Sequence, residues 1–250
     1  MPTRVPKRGR VVAIMPARNS AKTLEATVAR IPPGYIDQLI LVDNASKDDT
    51  VTIAERLGIT VVRHQTDRGF GGSIKSCFRA ALAAEADYIV ELHPDNQYDP
   101  SFVPGLLEKI QEADHAMVIG SRFLPVRRSL DGGMPWWKFV ANRFLTFMNG
   151  TMMGAHLSEF HSGLRVYSAR WARTVPLDKL SNEFILGFQL VAHAVINGWT
   201  LAEAPADCRY FKEASMNPLV GSTIYGWGTL KESFKVLRYR LGLGGPEYRQ

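Results

Sequence analysis

The 250-residue sequence has only two cysteines, Cys77 and Cys208, and they form no metal-spaced pair. A thiolate zinc site and a disulfide framework are both excluded, and reduced thiols in a cytoplasmic setting are the expectation. No uninterrupted apolar run reaches about 18 residues, so no transmembrane helix is encoded. The basic N-terminus MPTRVPKRGR leads into a short apolar run, too short for the hydrophobic region of a secretory signal. Zinc-finger, helix-turn-helix and RNA-recognition signatures are missing, and the basic residues form no long block, so nucleic acid is not an expected partner. No G-x-G-x-x-G follows the first apolar run, where PARNS stands instead; this argues against a nicotinamide enzyme. Repeats and low-complexity linkers are absent as well, which leaves one domain with an accessory C-terminal half.

What is present is a net charge of +6 on a chain that is 46% hydrophobic. That balance suits phosphorylated small molecules or an anionic membrane surface. The first half alternates short apolar runs with helical stripes. Val11–Met15, Gln38–Val42, Ile59–Arg63, Tyr88–Leu92 and Ala116–Gly120 read as strands. Between them, Ala21–Arg30, a helix opened by Asp48 or Asp49 and stopped by Gly58, the Ile74–Leu82 stripe and Val103–Ile110 read as helices. Ser20 is a candidate cap for the first of these. Repeated strand–helix units predict an α/β fold with a doubly wound, mostly parallel sheet. The second half is less regular, with a strand at Gly163–Tyr167, a helix at Phe184–Asn197, a strand at Thr200–Ala206 and helices at Trp136–Met153 and Leu230–Leu241.

In such sheets ligands bind beyond the carboxyl ends of the strands. The polar residues gather there: Pro16–Asn19, Asp43, His93–Gln97, and Ser121 with Arg122. In ELHPDNQYDP, Asp95 and Gln97 are two apart and face one side if the segment is extended. Oxygen ligands of this kind suit Mg²⁺ or Mn²⁺ shared with substrate phosphates; the alternative is that Asp95 caps local backbone. Asp99, just before Pro100, reads as a helix cap. The glycines of RGFGG either let backbone amides approach a phosphate or only allow tight packing.

The ordered pieces VVAIMPARNSAKTL, LVDNASKDDT, RGFGGSIKSCFRAAL, HPDNQYDP, VIGSRF, EFHSGLRVYS and CRYFKEAS together resemble the inverting family 2 glycosyltransferases of GT-A fold, in the dolichyl-phosphate mannose synthase-like branch. The resemblance runs from about Val11 to Met216. It implies one catalytic domain over 1–250: a nucleotide-sugar-binding half (10–125), an acceptor-side half (126–220), and a basic C-terminal helix and tail (221–250). It implies a GDP- or UDP-hexose donor, with GDP-mannose and UDP-glucose both consistent, and a Mg²⁺ or Mn²⁺ cofactor. By position, Pro16, Ala17, Arg18 and Asn19 would line the nucleotide pocket and Asp43 would bind the base or ribose. Lys75 would approach the nucleotide or lie on a solvated face. Asp95 and Gln97 would hold the metal, and Arg122, Arg165 and Arg209 would surround phosphates.

Two departures stand out. Ser20 replaces an acidic residue, and His93 replaces the aspartate that commonly opens the metal segment. His93 would touch the nucleotide, the cation or neither. A polyprenyl phosphate acceptor is already ionised and needs no strong base, whereas a hydroxyl acceptor does. Glu159 is the candidate base, or else a structural partner of Arg165. The aromatic residues of Trp136–Met153 and the basic, apolar C-terminal helix either close the core or lie on a membrane. The expectation is a peripheral contact, at the inner face of the membrane.

Overall fold

The computed structural model describes residues 9–126, 128–209 and 218–249. Seven strands form one sheet: β1 (Val11–Ala17), β2 (Gln38–Asn44), β3 (Thr60–His64), β4 (Tyr88–Glu91), β5 (His115–Ser121), β6 (Arg165–Ser168) and β7 (Thr200–Pro205), in the order β3-β2-β1-β4-β6-β5-β7. Strands β3, β2, β1 and β4 pair in parallel. The expected α/β, doubly wound and mostly parallel sheet is therefore present.

The run VVAIM is fully buried because both faces of β1 are covered. Val12 and Ile14 point into one core and Val11, Ala13 and Met15 into the other, the period-2 alternation of a strand. Helix α1 (Leu24–Val28) is shorter than the sequence suggested, and α2 spans Thr50–Arg56. Helix α3 (Gly69–Ala83) buries Ile74, Cys77, Phe78 and Ala81 as its spacing requires. Helix α4 (Val103–Glu112) buries Val103, Leu106, Leu107 and Ile110. The remaining helices are α5 (Arg128–Asp131), α6 (Trp136–Met153), α7 (Ala169–Ala172), α8 (Leu186–Ile196) and α9 (Pro218–Arg240).

One local expectation changes, and three details are settled. Ser20 does not cap α1 with its side chain; its carbonyl accepts from Thr23 and Leu24. At α2 the N-cap residue is Asp49, which makes no side-chain cap bond, while Asp48 accepts from the Thr50 amide and hydroxyl. Strand β6 lies antiparallel between β4 and β5, opposite to the parallel pattern, and sets Glu91 across from Arg165. Asp99 does cap the turn at Pro100–Phe102, accepting from Ser101 N at 3.0 Å.

Candidate functional site

Strand order reverses between β1 and β4, so their carboxyl ends open the crevice where a ligand fits. The loop after β1 is tied to the loop after β2. Asn19 adopts φ 52°, a left-handed conformation that asparagine tolerates. Its amide donates to Ser46 Oγ at 2.9 Å and its side-chain oxygen accepts from Lys47 N at 2.8 Å. Pro16 and Ala17 end β1 and are buried. Arg18 pairs with Asp67, which also accepts from Asn44 Nδ2 at 2.6 Å and Gly69 N at 2.9 Å. The Gly69 and Asn44 hydrogen bonds outweigh desolvation and hold the Asp67 carboxyl below the usual range. Asp67 is a junction of three loops that the sequence did not single out.

Asp43 is 4% exposed. Its Oδ2 accepts from Ser46 N at 3.2 Å, while its buried Oδ1 has no hydrogen-bond partner among the described residues. An unsatisfied buried carboxylate oxygen is costly, and it marks a place for a donor from a ligand.

The segment after β4 is a turn and not an extended strand. Asp95 Oδ1 accepts from Gln97 N at 3.0 Å, and Asn96 takes φ 59°. The premise that Asp95 and Gln97 face one side of an extended chain therefore fails. Arg30 clamps this turn, donating to Asn96 Oδ1 at 3.0 Å and pairing with Asp99. Arg209 N donates to Gln97 O at 2.8 Å, and the Arg209 side chain is exposed. No local pattern marks Arg30, which acts on this turn from 66 positions away.

Among the described residues no group of three or more His, Cys, Asp or Glu side chains could hold a metal ion. That still fits Mg²⁺ or Mn²⁺ bound with a diphosphate, because such ions often use one or two carboxylates and take their other oxygens from phosphate and water.

His93 faces Glu91. Its Nε2 lies 3.1 Å from Glu91 Oε1, and Phe70 stacks on it at 5.7 Å. Phe184 stacks in turn on Phe70 at 4.4 Å. A Cβ at Gly163 would come within 3.0 Å of the same Nε2. Burial opposes charging of His93, but the hydrogen bond and charge of Glu91 outweigh it and raise the imidazole's pKa. Glu91 is itself buried and accepts from the Tyr167 hydroxyl at 2.5 Å. Burial favours its neutral form, yet His93, Arg165 and Tyr167 hold it ionised, below the ordinary carboxyl range. Sequence reasoning treated Glu91 as the end of a strand and missed it.

Three expected roles, those of Lys75, Arg165 and Glu159, are corrected by geometry, and the two readings of RGFGG are decided. Lys75 lies neither on a solvated face nor free for a nucleotide. It is 7% exposed, and its ammonium donates to Leu180 O at 2.5 Å and Asn182 Oδ1 at 2.8 Å. The RGFGG amides do not cradle a phosphate, since Gly71 N and Gly72 N both donate to Asn182 O. A Cβ at Gly71 would sit 2.6 Å from Ser181 O, so tight packing is the reason for that glycine. Arg165 is buried, donating to Ser162 O at 2.8 Å, Gly187 O at 2.5 Å and Phe160 O at 3.1 Å; it holds loops and does not face a phosphate. Glu159 partners Arg122, not Arg165, and is fully buried. Arg122 N donates to its Oε2 at 2.9 Å, and Arg122 Nε to its Oε1 at 2.9 Å. Tyr210 and Phe211 of CRYFKEAS, and Met216 at the end of the resemblance, lie outside the described residues.

The profile of the family described as "Glycosyl transferase family 2" matches residues 12–175. The undecaprenyl-phosphate mannosyltransferase of Micrococcus luteus is 29% identical over 252 residues, covering 94% of this chain and 100% of that protein. The UDP-N-acetylglucosamine–dolichyl-phosphate N-acetylglucosaminyltransferase of Methanococcus voltae is 24% identical over 236 residues, covering 86% and 93%. Among solved structures, glucosyl-3-phosphoglycerate synthase from Mycobacterium tuberculosis, in complex with Mn²⁺, UDP-glucose and phosphoglyceric acid, superposes with a TM-score of 0.64. It is 19% identical, over 94% of this chain and 80% of that one, a likeness that carries the fold.

Proposed function

The chain belongs to glycosyl transferase family 2, an α/β enzyme of GT-A type, and from that premise we propose that it moves a hexose from a GDP- or UDP-sugar to a polyprenyl phosphate. The observation that carries the choice of acceptor is the state of Glu159. Both of its oxygens are engaged by Arg122, and no part of it is exposed. A general base must reach the proton it removes, and this carboxylate has no free direction. A phosphate acceptor is already an anion and needs no such group. Two relatives whose names specify undecaprenyl phosphate and dolichyl phosphate support the same reading.

In this reading an acceptor phosphate oxygen attacks the anomeric carbon as the bond to the donor diphosphate breaks, with inversion. Asp43 Oδ1 receives a hydrogen bond from the base or ribose. Asn19 and Arg18 hold the first loop against the second, shaping the nucleotide pocket with Pro16 and Ala17. A divalent cation held by Asp95 would supply positive charge against the leaving diphosphate; the Mn²⁺ in the synthase complex supports the choice of ion. Gln97 is a second candidate ligand, fixed through its backbone, and Arg209 lies beside that turn. Arg122, Arg165 and Lys75 act by holding the loops that wall the site. The whole of 1–250 is read as one catalytic domain, working where its lipid acceptor resides, on a membrane surface.

The test is release of nucleoside diphosphate from GDP-mannose, UDP-glucose and UDP-N-acetylglucosamine with Mg²⁺ or Mn²⁺. Release that requires added polyprenyl phosphate supports the reading. Release driven by a soluble hydroxyl acceptor and not by the prenyl phosphate overturns it in favour of a hydroxyl-directed transferase. No release under any condition would indicate a nucleotide-sugar-binding protein without turnover.

A further inference from the structure

Beyond α9 the chain turns back and walls a second cavity. Gly242, at φ 73°, ends the helix. Its amide donates to Tyr239 O at 3.0 Å and the Leu243 amide to Arg238 O at 2.9 Å, the paired bonds of a glycine-terminated helix. A Cβ at Gly245 would come within 2.8 Å of the Tyr239 ring, so glycine lets the returning chain lie close against α9. Tyr248 then anchors it. This residue is 2% exposed, and its hydroxyl donates to Glu232 Oε2 at 2.8 Å.

The returning chain, α8, α9 and the Leu177–Lys179 turn enclose a cavity of about 350 Å³. Sites for small molecules are of this size, roughly 300–1,000 Å³. None of the residues placed in the crevice lines it. Gln189 of α8 does, and it is 7% exposed. Its Oε1 accepts from Ser181 N at 2.8 Å. A backbone amide only donates, so that bond fixes which end of the side-chain amide is oxygen. The Nε2 is left to the cavity, and it donates to nothing among the described residues. A donor this deeply placed calls for an acceptor.

Three cations share the lining. The Lys179 ammonium has no hydrogen bond or ion pair among the described residues. Lys235 donates to Glu232 Oε1 at 2.6 Å, and Arg238 spends one N–H on Leu243 O at 3.0 Å; most guanidinium donors stay free. With Glu232 offsetting Lys235, the lining keeps two cations against one carboxylate, Glu247. The donors come from three separate elements, the turn, α8 and α9. A phosphate has oxygens enough to meet all three, whereas a carboxylate has two. Glu247 suits a ligand hydroxyl. We propose that this cavity is a second binding site, taking a small phosphate monoester that carries hydroxyl groups, such as a sugar phosphate. The phosphate lies against Gln189 Nε2, Lys179 and Arg238. The 180–182 segment behind it also receives Lys75 and the amides of Gly71 and Gly72, so it joins the cavity to the start of α3. Binding here needs no donor, cation or acceptor, and it stands apart from the transfer reaction.

The experiment is calorimetric titration of the full chain, without nucleotide or metal, with inorganic phosphate, glucose 6-phosphate and glucose. Wild type should bind glucose 6-phosphate best, phosphate more weakly and glucose not measurably. Gln189→Glu keeps an acceptor for Ser181 N and puts an acidic oxygen where Nε2 stood. Lys179→Gln removes an exposed charge that holds no other group. Each should weaken glucose 6-phosphate binding by about tenfold or more, and Lys179→Gln should leave nucleoside diphosphate affinity unchanged. Lys231→Gln, which removes a charge of α9 outside the cavity, should change glucose 6-phosphate affinity less than twofold. Wild type that binds neither phosphate compound would overturn the proposal. So would Lys179→Gln that binds as well as wild type, or an equal loss in Lys231→Gln, since the anion would then lie elsewhere or answer only to net charge.

Discussion

Arg122 and Glu159 close on each other. The Arg122 backbone amide and its side-chain Nε reach the two Glu159 oxygens at 2.9 Å each, and the carboxylate is fully buried. The pair joins the end of β5 to the 158–162 loop, so two walls of the crevice depend on it. Breaking a buried pair from one side leaves the other charge uncompensated. Glu159→Gln should therefore cost about 3 kcal/mol of stability in urea unfolding. Its transfer rate per folded molecule, with a prenyl phosphate acceptor, should fall less than tenfold. A loss of about 10²–10⁴-fold in a variant that is still folded would instead identify Glu159 as a base.

Asp43 predicts effects of opposite sign on binding and stability. Its buried Oδ1 has no hydrogen-bond partner among the described residues, which costs the free protein stability and leaves the oxygen open to a donor from a ligand. Asp43→Ala should leave the melting temperature unchanged or higher, and weaken nucleotide affinity by about 10- to 100-fold, equivalent to 1–3 kcal/mol. Calorimetric titration with the nucleoside diphosphate and a thermal melt of the same sample read both. Unchanged nucleotide affinity would remove Asp43 from the site.

His93 faces Glu91 at 3.1 Å, which decides how a substitution behaves. His93→Asp sets a second carboxylate against Glu91 in a buried place, and like charges there repel. The variant should unfold at lower denaturant than His93→Asn and bind Mn²⁺ no more tightly than wild type. Tighter Mn²⁺ binding would mean that position 93 faces the cation.

Gly71 and Gly105 should respond oppositely to alanine. A Cβ at Gly71 would lie 2.6–2.8 Å from backbone atoms of Ser181, Asn182 and Glu183, whereas at Gly105 nothing lies within 4 Å. Gly71→Ala should destabilise by about 1–3 kcal/mol through overpacking. Gly105→Ala, inside α4, should stabilise by roughly 0.5–1 kcal/mol. Urea midpoints of the two variants compare them directly.

Stability should fall on mild acidification because of His193. It is fully buried, neither ring nitrogen has a partner among the described residues, and burial pushes its pKa down to about 4. The unfolded chain protonates it near 6.5, so the unfolded state binds more protons between those values. Stability is intact above about pH 6.5 and declines toward pH 4, by roughly 3 kcal/mol from this residue. His193→Leu should flatten that slope. A slope unchanged in the variant would assign the acid sensitivity elsewhere.

The strands and helices of the first half were legible because their patterns are local. The buried run of β1, the stripe of α3 and the Asp99 cap all follow from spacing within one element. The strand-end loops of the candidate site were legible, but the partners of their side chains were less so. Lys75, Arg165 and Glu159 each look like solvent-facing chemistry in one dimension. Lys75 and Glu159 are instead satisfied by segments distant in sequence, 180–182 and Arg122, and Arg165 by the carbonyls of Phe160, Ser162 and Gly187. The antiparallel insertion of β6 is equally non-local, and it is what brings Tyr167 and Arg165 to Glu91. The α6 pattern reads as core or surface until Asn149 is seen facing Thr229 and Ser233.

The most direct measurement is the mass of the lipid product formed from polyprenyl phosphate and an isotopically labelled nucleotide-sugar with Mn²⁺. Hexosyl transfer predicts a prenyl monophosphate carrying one labelled hexose, with nucleoside diphosphate released in equal amount. A diphosphate-linked lipid with nucleoside monophosphate released, or a labelled hexose found only on a hydroxyl acceptor, would contradict the account.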